Sequence, residues 1–181
     1  MSPAILINSF CIALLLATTF LHYEALQALN LVLPRLRAAG RARVLVVMVS
    51  LFVVHVAEVI GFAAAYYLLS RHPGLGALGM AGPPTFNVAL YFSFETYSSL
   101  GYGDVVPAGA LRMLAGAEAL NGLLLIGWSA SYAHFAMERF WQQDKPRSRE
   151  RRRTRYATGE APSASAFSRR RKAGRTGPRK R

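Results

Sequence analysis

The chain has 181 residues, of which 52% are apolar, and carries a formal net charge of +13. The charge is unevenly placed: residues 1–141 hold 7 Lys/Arg and 6 Asp/Glu, whereas residues 142–181 hold 15 Lys/Arg and 3 Asp/Glu. The basic character therefore describes a C-terminal tail, and the rest of the chain is nearly neutral. The single cysteine, Cys11, excludes an intrachain disulfide. The sequence offers no nucleophile–base pair and no phosphate-cradling loop, which argues against an enzyme.

Three long apolar segments predict three transmembrane helices, because about 20 apolar residues cross a bilayer. They are Ala4–His22, Val44–Leu69 and Ala110–Met137. Residues 1–42 are thus predicted to form an N-terminal transmembrane helix followed by a basic cytoplasmic linker. Within this part, segment 24–38 predicts either an amphipathic helix at the membrane interface, broken near Pro34, or a plain connector.

The distribution of basic residues predicts the orientation of these segments. Four arginines lie between the first two segments, at Arg35, Arg37, Arg41 and Arg43. This linker and the basic tail should both be cytoplasmic, since positive residues favour that side. The N-terminus then lies outside the cell and the C-terminus in the cytoplasm. The stretch Arg71–Pro84, rich in Gly and Pro, predicts an irregular outer loop.

A short segment, Phe86–Tyr97, has helix-like spacing but cannot cross a membrane. It predicts a re-entrant helix, which is tolerated at membrane depth when protein surrounds it. Thr85 is the candidate N-cap of this helix. Glycines at 101 and 103 follow, and they permit backbone conformations that a Cβ would block. Successive carbonyls there can point at one axis and replace the water around a dehydrated cation.

The run from Leu90 to Asp104, Leu-Tyr-Phe-Ser-Phe-Glu-Thr-Tyr-Ser-Ser-Leu-Gly-Tyr-Gly-Asp, resembles the pore domain of potassium channels. Simple bacterial potassium channels have two tryptophans where this chain has Tyr91 and Phe92, and they usually have Thr-Thr-Val in place of Ser-Ser-Leu. The resemblance covers residues 87–107 and, more loosely, the helix that follows. It implies an all-α membrane protein in which residues 43–141 form the pore domain: outer helix, outer loop, pore helix, selectivity filter and inner helix.

The resemblance also implies which residues line the ion path. The predicted ion-binding residues are Ser99, Leu100, Gly101, Tyr102 and Gly103, and the predicted supporting residues are Glu95, Thr96, Ser98 and Asp104. Because each chain supplies one pore loop, four chains must surround the axis, which predicts a homotetramer. Potassium is expected as the permeant ion, and no other cofactor is expected.

Two features of the filter region leave alternatives. Glu95 and Asp104 either share a proton behind the filter, as the resemblance implies, or Glu95 finds a buried hydroxyl or amide while Asp104 is solvated. The Ser99 hydroxyl is less constrained than that of a β-branched Thr. A Thr at this position is therefore predicted to keep or sharpen the preference for potassium over sodium.

The third segment carries four residues of interest. Glu118 and Asn121 are spaced i, i+3 and can act together. Glu118 either enriches cations near a cavity or bonds the back of the pore helix. Gly122 and Gly127 are either a bending point of a gate or sites of close helix packing.

The second segment carries one ionisable pair. His55 and Glu58 are again i, i+3, which predicts a mutual hydrogen bond, with proton sensing as the alternative. Two such ligands do not make a metal site, so none is predicted.

The resemblance therefore implies a potassium-selective channel of a bacterial inner membrane. A weakly selective cation channel and a non-conducting membrane adaptor with a polybasic tail are the alternatives. The composition of residues 142–181 predicts a disordered tail that either adsorbs to anionic lipids or only reinforces the topology. Nucleic acid is not an expected partner.

Overall fold

The computed structural model describes residues 3–36, 39–79 and 82–143, and within these residues it contains four α-helices. They are α1 (Pro3–Val32), α2 (Gly40–Leu69), α3 (Phe86–Tyr97) and α4 (Leu111–Gln143), with a 3₁₀ turn at Leu33–Arg35 after α1. No strand occurs in these residues, although Leu78 and Pro107 form an isolated bridge. Helices α1, α2 and α4 are long and apolar enough to cross a membrane. The predicted all-α class with three spanning helices is confirmed.

The first helix is longer than predicted. Helix α1 runs unbroken to Val32, so residues 24–32 form neither a separate interfacial helix nor a connector. No proline or glycine lies between His22 and Pro34, and nothing in this stretch ends the helix. Leu26 and Leu29 are buried in a cluster with residues of α2 and α4. The leucine pattern that resembled an interfacial face is therefore a packing face.

Two groups of buried apolar side chains hold the helices together. One surrounds α3 and joins the second half of α2 to the start of α4; its largest members include Phe62, Tyr66, Phe92 and Leu114. The other joins the end of α1 and the start of α2 to the end of α4, through residues such as Leu33, Val47 and Phe140. Large apolar side chains on the outer helix surfaces stay exposed in the single chain. Such surfaces suit contact with lipid or with other chains.

Three side-chain contacts fix the relative direction of α1 and α4. Asn121 donates to Thr18 at 2.9 Å, Ser129 lies 3.2 Å from His22, and Tyr132 donates to Asn30 at 3.0 Å. From one pair to the next, the residue number rises in both helices. Helices α1 and α4 therefore run parallel to each other.

The loops around α3 position the segment that follows it. Thr85 caps α3, because its side-chain oxygen accepts from the backbone N–H of Val88 at 3.4 Å, and this prediction is confirmed. The outer loop pairs with the chain after the candidate filter, for Ala108 N donates to Ala77 O at 2.8 Å and Gly79 N donates to Val106 O at 2.9 Å. These bonds tie the chain directly after residues 98–105 to the outer loop.

The chain divides into a unit of residues 1–143 and a second unit of residues 144–181. The second unit contains nearly all of the predicted tail and lies outside the described residues. The disorder of this tail and its attraction to lipids therefore stay predictions.

Candidate functional site

The segment Ser98–Asp104 leaves α3 and folds back over its last turn. The N–H of Ser99 donates to Thr96 O at 3.0 Å. The N–H groups of Leu100 and Gly101 both donate to Glu95 O, at 2.8 and 3.2 Å. Because these carbonyls belong to the end of α3, the start of the segment is fixed to that helix.

The backbone of this segment alternates in handedness. Ser99, Gly101 and Gly103 have φ of +58°, +57° and +80°, whereas Leu100 and Tyr102 are not among the residues with positive φ. An alternation in the sign of φ turns successive backbone N–H groups to one side of the chain, as in anion-binding nests. By the same geometry it presents the carbonyls together on the opposite side. The segment can therefore offer a row of oxygens.

Conformation rather than space explains the two glycines. An added Cβ would meet nothing within 4 Å at Gly101 or Gly103, so only the positive φ disfavours a side chain in the single chain. Ser99 is the one non-glycine residue with positive φ in the described part of the chain. Backbone outliers of this kind are uncommon and cluster at functional sites.

All seven residues from Ser98 to Asp104 are exposed in the single chain. Leu100 is 58% exposed and Tyr102 is 69% exposed, although both side chains are large and largely apolar. A surface of this kind indicates contact with another molecule.

Glu95 lies behind this segment, and Asp104 lies at its C-terminal end. Glu95 is only 4% exposed, and its Oε2 has no hydrogen-bond partner in the described residues. Burial, followed by the charge of Asp104, raises the pKa of Glu95, while a hydrogen bond with the Tyr102 backbone acts in the opposite direction. The Asp104 carboxylate accepts from the Tyr91 hydroxyl at 3.0 and 3.2 Å. The two carboxylates thus interact through their charges, and a shared proton stays a prediction.

Glu118 ties three helices together. It is fully buried and accepts from Tyr66 Oη of α2 at 2.6 Å and from Ser93 Oγ of α3 at 2.5 Å. Ser93 also lies 2.9 Å from Val59 O of α2. The geometry matches the alternative in which Glu118 bonds the back of the short helix. Asn121 does not join Glu118 in these contacts but bonds α1 instead.

The two glycines of α4 differ in their surroundings. At Gly122 an added Cβ would lie 2.1 Å from Tyr97 O, so the backbone of α4 touches the end of α3 there. At Gly127 it would meet nothing within 4 Å. Close packing is therefore the property that the structure gives Gly122.

A closed ring of polar side chains lies at the end of α3. Glu58 Oε1 is 2.9 Å from His22 Nδ1, and Glu58 Oε2 is 3.1 Å from His55 Nδ1. Ser129 Oγ completes the ring, at 2.9 Å from His55 Nε2 and 3.2 Å from His22 Nε2. The Tyr97 hydroxyl donates to Glu58 Oε2 and lies 2.8 Å from His55 Nδ1. The expected His55–Glu58 contact is present, but as one side of a larger cluster.

His22 and Ser129 are the members of this ring that sequence reasoning missed. His22 is 36 residues from Glu58 along the chain, and Ser129 is 107 residues from His22. No local spacing links them. The only available signal was that His22 is an ionisable residue at the end of an apolar segment, which is a reason to suspect a function.

The three spanning helices define an integral membrane protein of the helical class. A comparison with known protein families matches residues 54–138 to a family described as ion channel. The matched region begins in α2, ends in α4 and contains α3 with the exposed segment after it. The match is consistent with the pore domain of potassium channels. No curated protein and no solved structure matched the chain.

Proposed function

We propose that the protein is a potassium-selective channel in which four copies of the chain surround one pore. The observation that carries the proposal is the alternating backbone of Ser99, Gly101 and Gly103, which lies inside the region matched to the ion channel family. Carbonyl oxygens arranged in this way can replace the hydration shell of a potassium ion. Conduction is then passive, with potassium as the permeant ion.

The surroundings of Ser98–Asp104 support an assembly of four. One chain supplies one such segment, and a closed ring of oxygens requires several segments around an axis. The exposed Leu100 and Tyr102 gain burial when neighbouring chains pack around the segment. Helix α3 then acts as the pore helix, and the partial negative charge of its C-terminus favours a cation.

The orientation rests on charge. With the basic linker and tail in the cytoplasm, the N-terminus and the loop between α2 and α3 face outward. Parallel α1 and α4, with α2 between them in sequence, agree with three crossings. The proposed location is a bacterial inner membrane.

A flux assay with matched glycine substitutions tests the proposal. The full chain is reconstituted in liposomes, and potassium flux is driven by a gradient. Gly103→Ala should abolish the flux, and Gly74→Ala should leave it unchanged. The two glycines have φ of +80° and +85°, and an added Cβ meets nothing within 4 Å at either, so both substitutions impose similar strain. Flux lost equally in both variants, or retained in both, would contradict the filter assignment.

A weakly selective cation channel is the second candidate, and Ser99 favours it. This residue carries a positive φ and lacks the β-branch of Thr, so its hydroxyl is free to rotate at the inner ion site. Bi-ionic reversal potentials for potassium against sodium distinguish the two candidates. A protein that inserts and assembles but passes neither ion would instead be the membrane adaptor.

We further propose that the tail binds anionic lipids. Residues 142–181 hold 15 Lys/Arg and 3 Asp/Glu, and each basic residue near the membrane surface contributes about 1 kcal/mol. A chain ending at Gln143 should still form tetramers but should lose adsorption to anionic liposomes. Added salt should weaken the adsorption of the intact chain, since the attraction is electrostatic. Equal adsorption of both chains at low salt would show that the tail only sets the topology.

A further inference from the structure

The ring formed by His22, Glu58, His55 and Ser129 is not explained by ion conduction. It joins α1, α2 and α4, and Tyr97 connects it to α3. His22 and Glu58 have side chains that are 0% exposed, and that of His55 is 18% exposed. Ionisable groups at such a depth are costly in a membrane protein and are candidates for a function.

With both imidazoles neutral, the protons of the ring do not satisfy all of its contacts. In this state, with Glu58 ionised, the Nδ1 atom of each imidazole must carry the proton and donate it to Glu58. A nitrogen lone pair facing a carboxylate would be repulsive. Both Nε2 atoms are then acceptors, and both face Ser129 Oγ, at 2.9 and 3.2 Å. Ser129 has one proton, so one of these two contacts has none. With neutral imidazoles, the ring therefore lacks one positive charge.

A metal ion bound on the Glu58 side removes this mismatch. Both Nδ1 lone pairs would bind the ion together with the Glu58 carboxylate. Both Nε2–H groups would then donate to Ser129 Oγ, which has two lone pairs to accept them. Fixing the second ring nitrogen of a ligating histidine on an oxygen is the usual arrangement around protein-bound metals. The Tyr97 hydroxyl already donates to Glu58, so it would orient the carboxylate.

We propose that His22, His55 and Glu58 form a binding site for a divalent transition-metal ion of the zinc class. Their ligand atoms all lie within 4.8 Å of one another. Two imidazoles and one carboxylate are a donor set that zinc accepts, with one further position open. The Tyr97 hydroxyl, 2.8 Å from His55 Nδ1, is within reach of that position.

The two histidine–glutamate distances require only small movements. Bonds of about 2.0–2.1 Å at tetrahedral angles separate neighbouring ligand atoms by roughly 3.3 Å. The two His–Glu distances are 2.9 and 3.1 Å, so each must lengthen by a few tenths of an ångström. Side-chain rotation is enough for such a change.

The site would join the N-terminal helix to the ion channel region. His22 belongs to α1, which precedes the matched residues 54–138, while His55 and Glu58 lie inside them. Tyr97 is the last residue of α3 and directly precedes the exposed segment from Ser98. Metal binding is therefore placed to stabilise the docking of α1 and the end of α3 together.

The binding test uses the full chain, purified with a tag that contains no histidine and stripped with a chelator. Titration with Zn²⁺ should give one saturable site per chain. His22→Ala and His55→Ala should each lower the affinity at least about 100-fold, because each removes a direct ligand. The chain has four histidines, and the other two supply matched controls: His72→Ala and His134→Ala should leave the affinity unchanged. Binding that survives in both ligand variants would overturn the proposal.

A further variant covers the case in which a ligand substitution prevents folding. Ser129→Ala keeps all three ligands and removes only the oxygen between the two Nε2 atoms. It should weaken Zn²⁺ binding about 10- to 100-fold. An unchanged affinity in Ser129→Ala would contradict the assigned geometry.

X-ray absorption at the zinc edge needs no variant. The bound ion should show two imidazole nitrogens and oxygen at about 2.0–2.1 Å, without the sulfur at about 2.3 Å that Cys11 would supply. Fewer than two imidazoles, or no stoichiometric zinc in the wild-type protein, would show that the ring holds a proton instead. These readouts measure binding alone, so their outcome is independent of whether the protein conducts potassium.

Discussion

Replacing Gly122 with alanine tests how closely α4 packs against the end of α3. The new Cβ would lie 2.1 Å from Tyr97 O and 2.9 Å from Tyr97 C, and both are backbone atoms that cannot rotate away. Real Cβ atoms essentially never approach another atom within 3.0 Å. The two helices must therefore separate by roughly 1 Å, and this movement disturbs the packing around position 122.

Two opposing terms set the size of the effect. Overpacking of a well-packed interior typically costs about 1–3 kcal/mol. Alanine in place of glycine favours the helix by about 1 kcal/mol. Because the clash is with backbone, the cost should lie at the upper end of its range, and Gly122→Ala should lower the free energy of unfolding by about 1–2 kcal/mol. Gly127→Ala, which meets nothing within 4 Å, should raise it by up to about 1 kcal/mol.

Denaturant unfolding of the detergent-solubilised protein measures both variants against the wild type. Gly122→Ala should be the least stable of the three proteins and Gly127→Ala the most stable. If Gly122→Ala is as stable as Gly127→Ala, the close packing at Tyr97 is wrong. A change in channel opening without a loss of stability would instead favour the bending role for Gly122.

Three further predictions follow from the described contacts. In thermal unfolding, Ser99→Gly should stabilise the assembled protein by about 1 kcal/mol, whereas Ser99→Thr should destabilise it. The reason is that glycine adopts a φ of +58° freely and a β-branched residue fits it poorly. Equal stabilities of the two variants would refute this. Glu118→Leu should cost about 1–3 kcal/mol of stability, since the buried Tyr66 hydroxyl would lose its acceptor, while the exposed Glu24→Leu serves as a control with no effect. Burial and the charge of Asp104 raise the pKa of Glu95, so its contribution to stability is present below the ordinary carboxyl range and is lost as the pH rises through the raised pKa. Glu95→Gln should therefore retain its melting temperature on that rise while the wild type declines, and parallel pH profiles would contradict the coupling.

The structure adds a stability argument to one expectation for the filter, whose effect on selectivity stays a prediction. The sequence suggested that Thr at position 99 would keep or sharpen selectivity, because its β-branch restricts the hydroxyl. For stability, the positive φ of Ser99 makes Thr less favourable than Ser, since that backbone conformation disfavours β-branched side chains. Backbone handedness depends on how Ser99–Gly101 fold over the end of α3, and a residue pattern does not reveal it.

Local features of the fold were predictable from the sequence. Helix α3 has the predicted bounds, because Thr85 supplies a cap and an apolar stretch of limited length follows. The end of α1 was not predictable in the same way. Leu26 and Leu29 show the same spacing whether the helix face meets a membrane surface or other helices, and only the packed bundle decides between these.

Long-range partners were the part that sequence could not supply. The pairing of His55 with Glu58 follows from helical spacing. The addition of His22 to that pair depends on the rotation and depth of α1 against α2, which periodicity does not fix. The same holds for Gly122, whose neighbour Tyr97 lies on another helix.

The polar contacts of α1 also constrain the order in which the chain can be assembled as it is synthesised. Thr18 is 103 residues from Asn121, so α1 enters the membrane long before its α4 partners exist. His22 finds Glu58 after only 36 residues, when α2 emerges. Polar groups in lipid are costly without partners, so a hairpin of α1 and α2 should form first and be joined at His22. Helix α4 then arrives last and closes the polar face that this hairpin has left open to the bilayer.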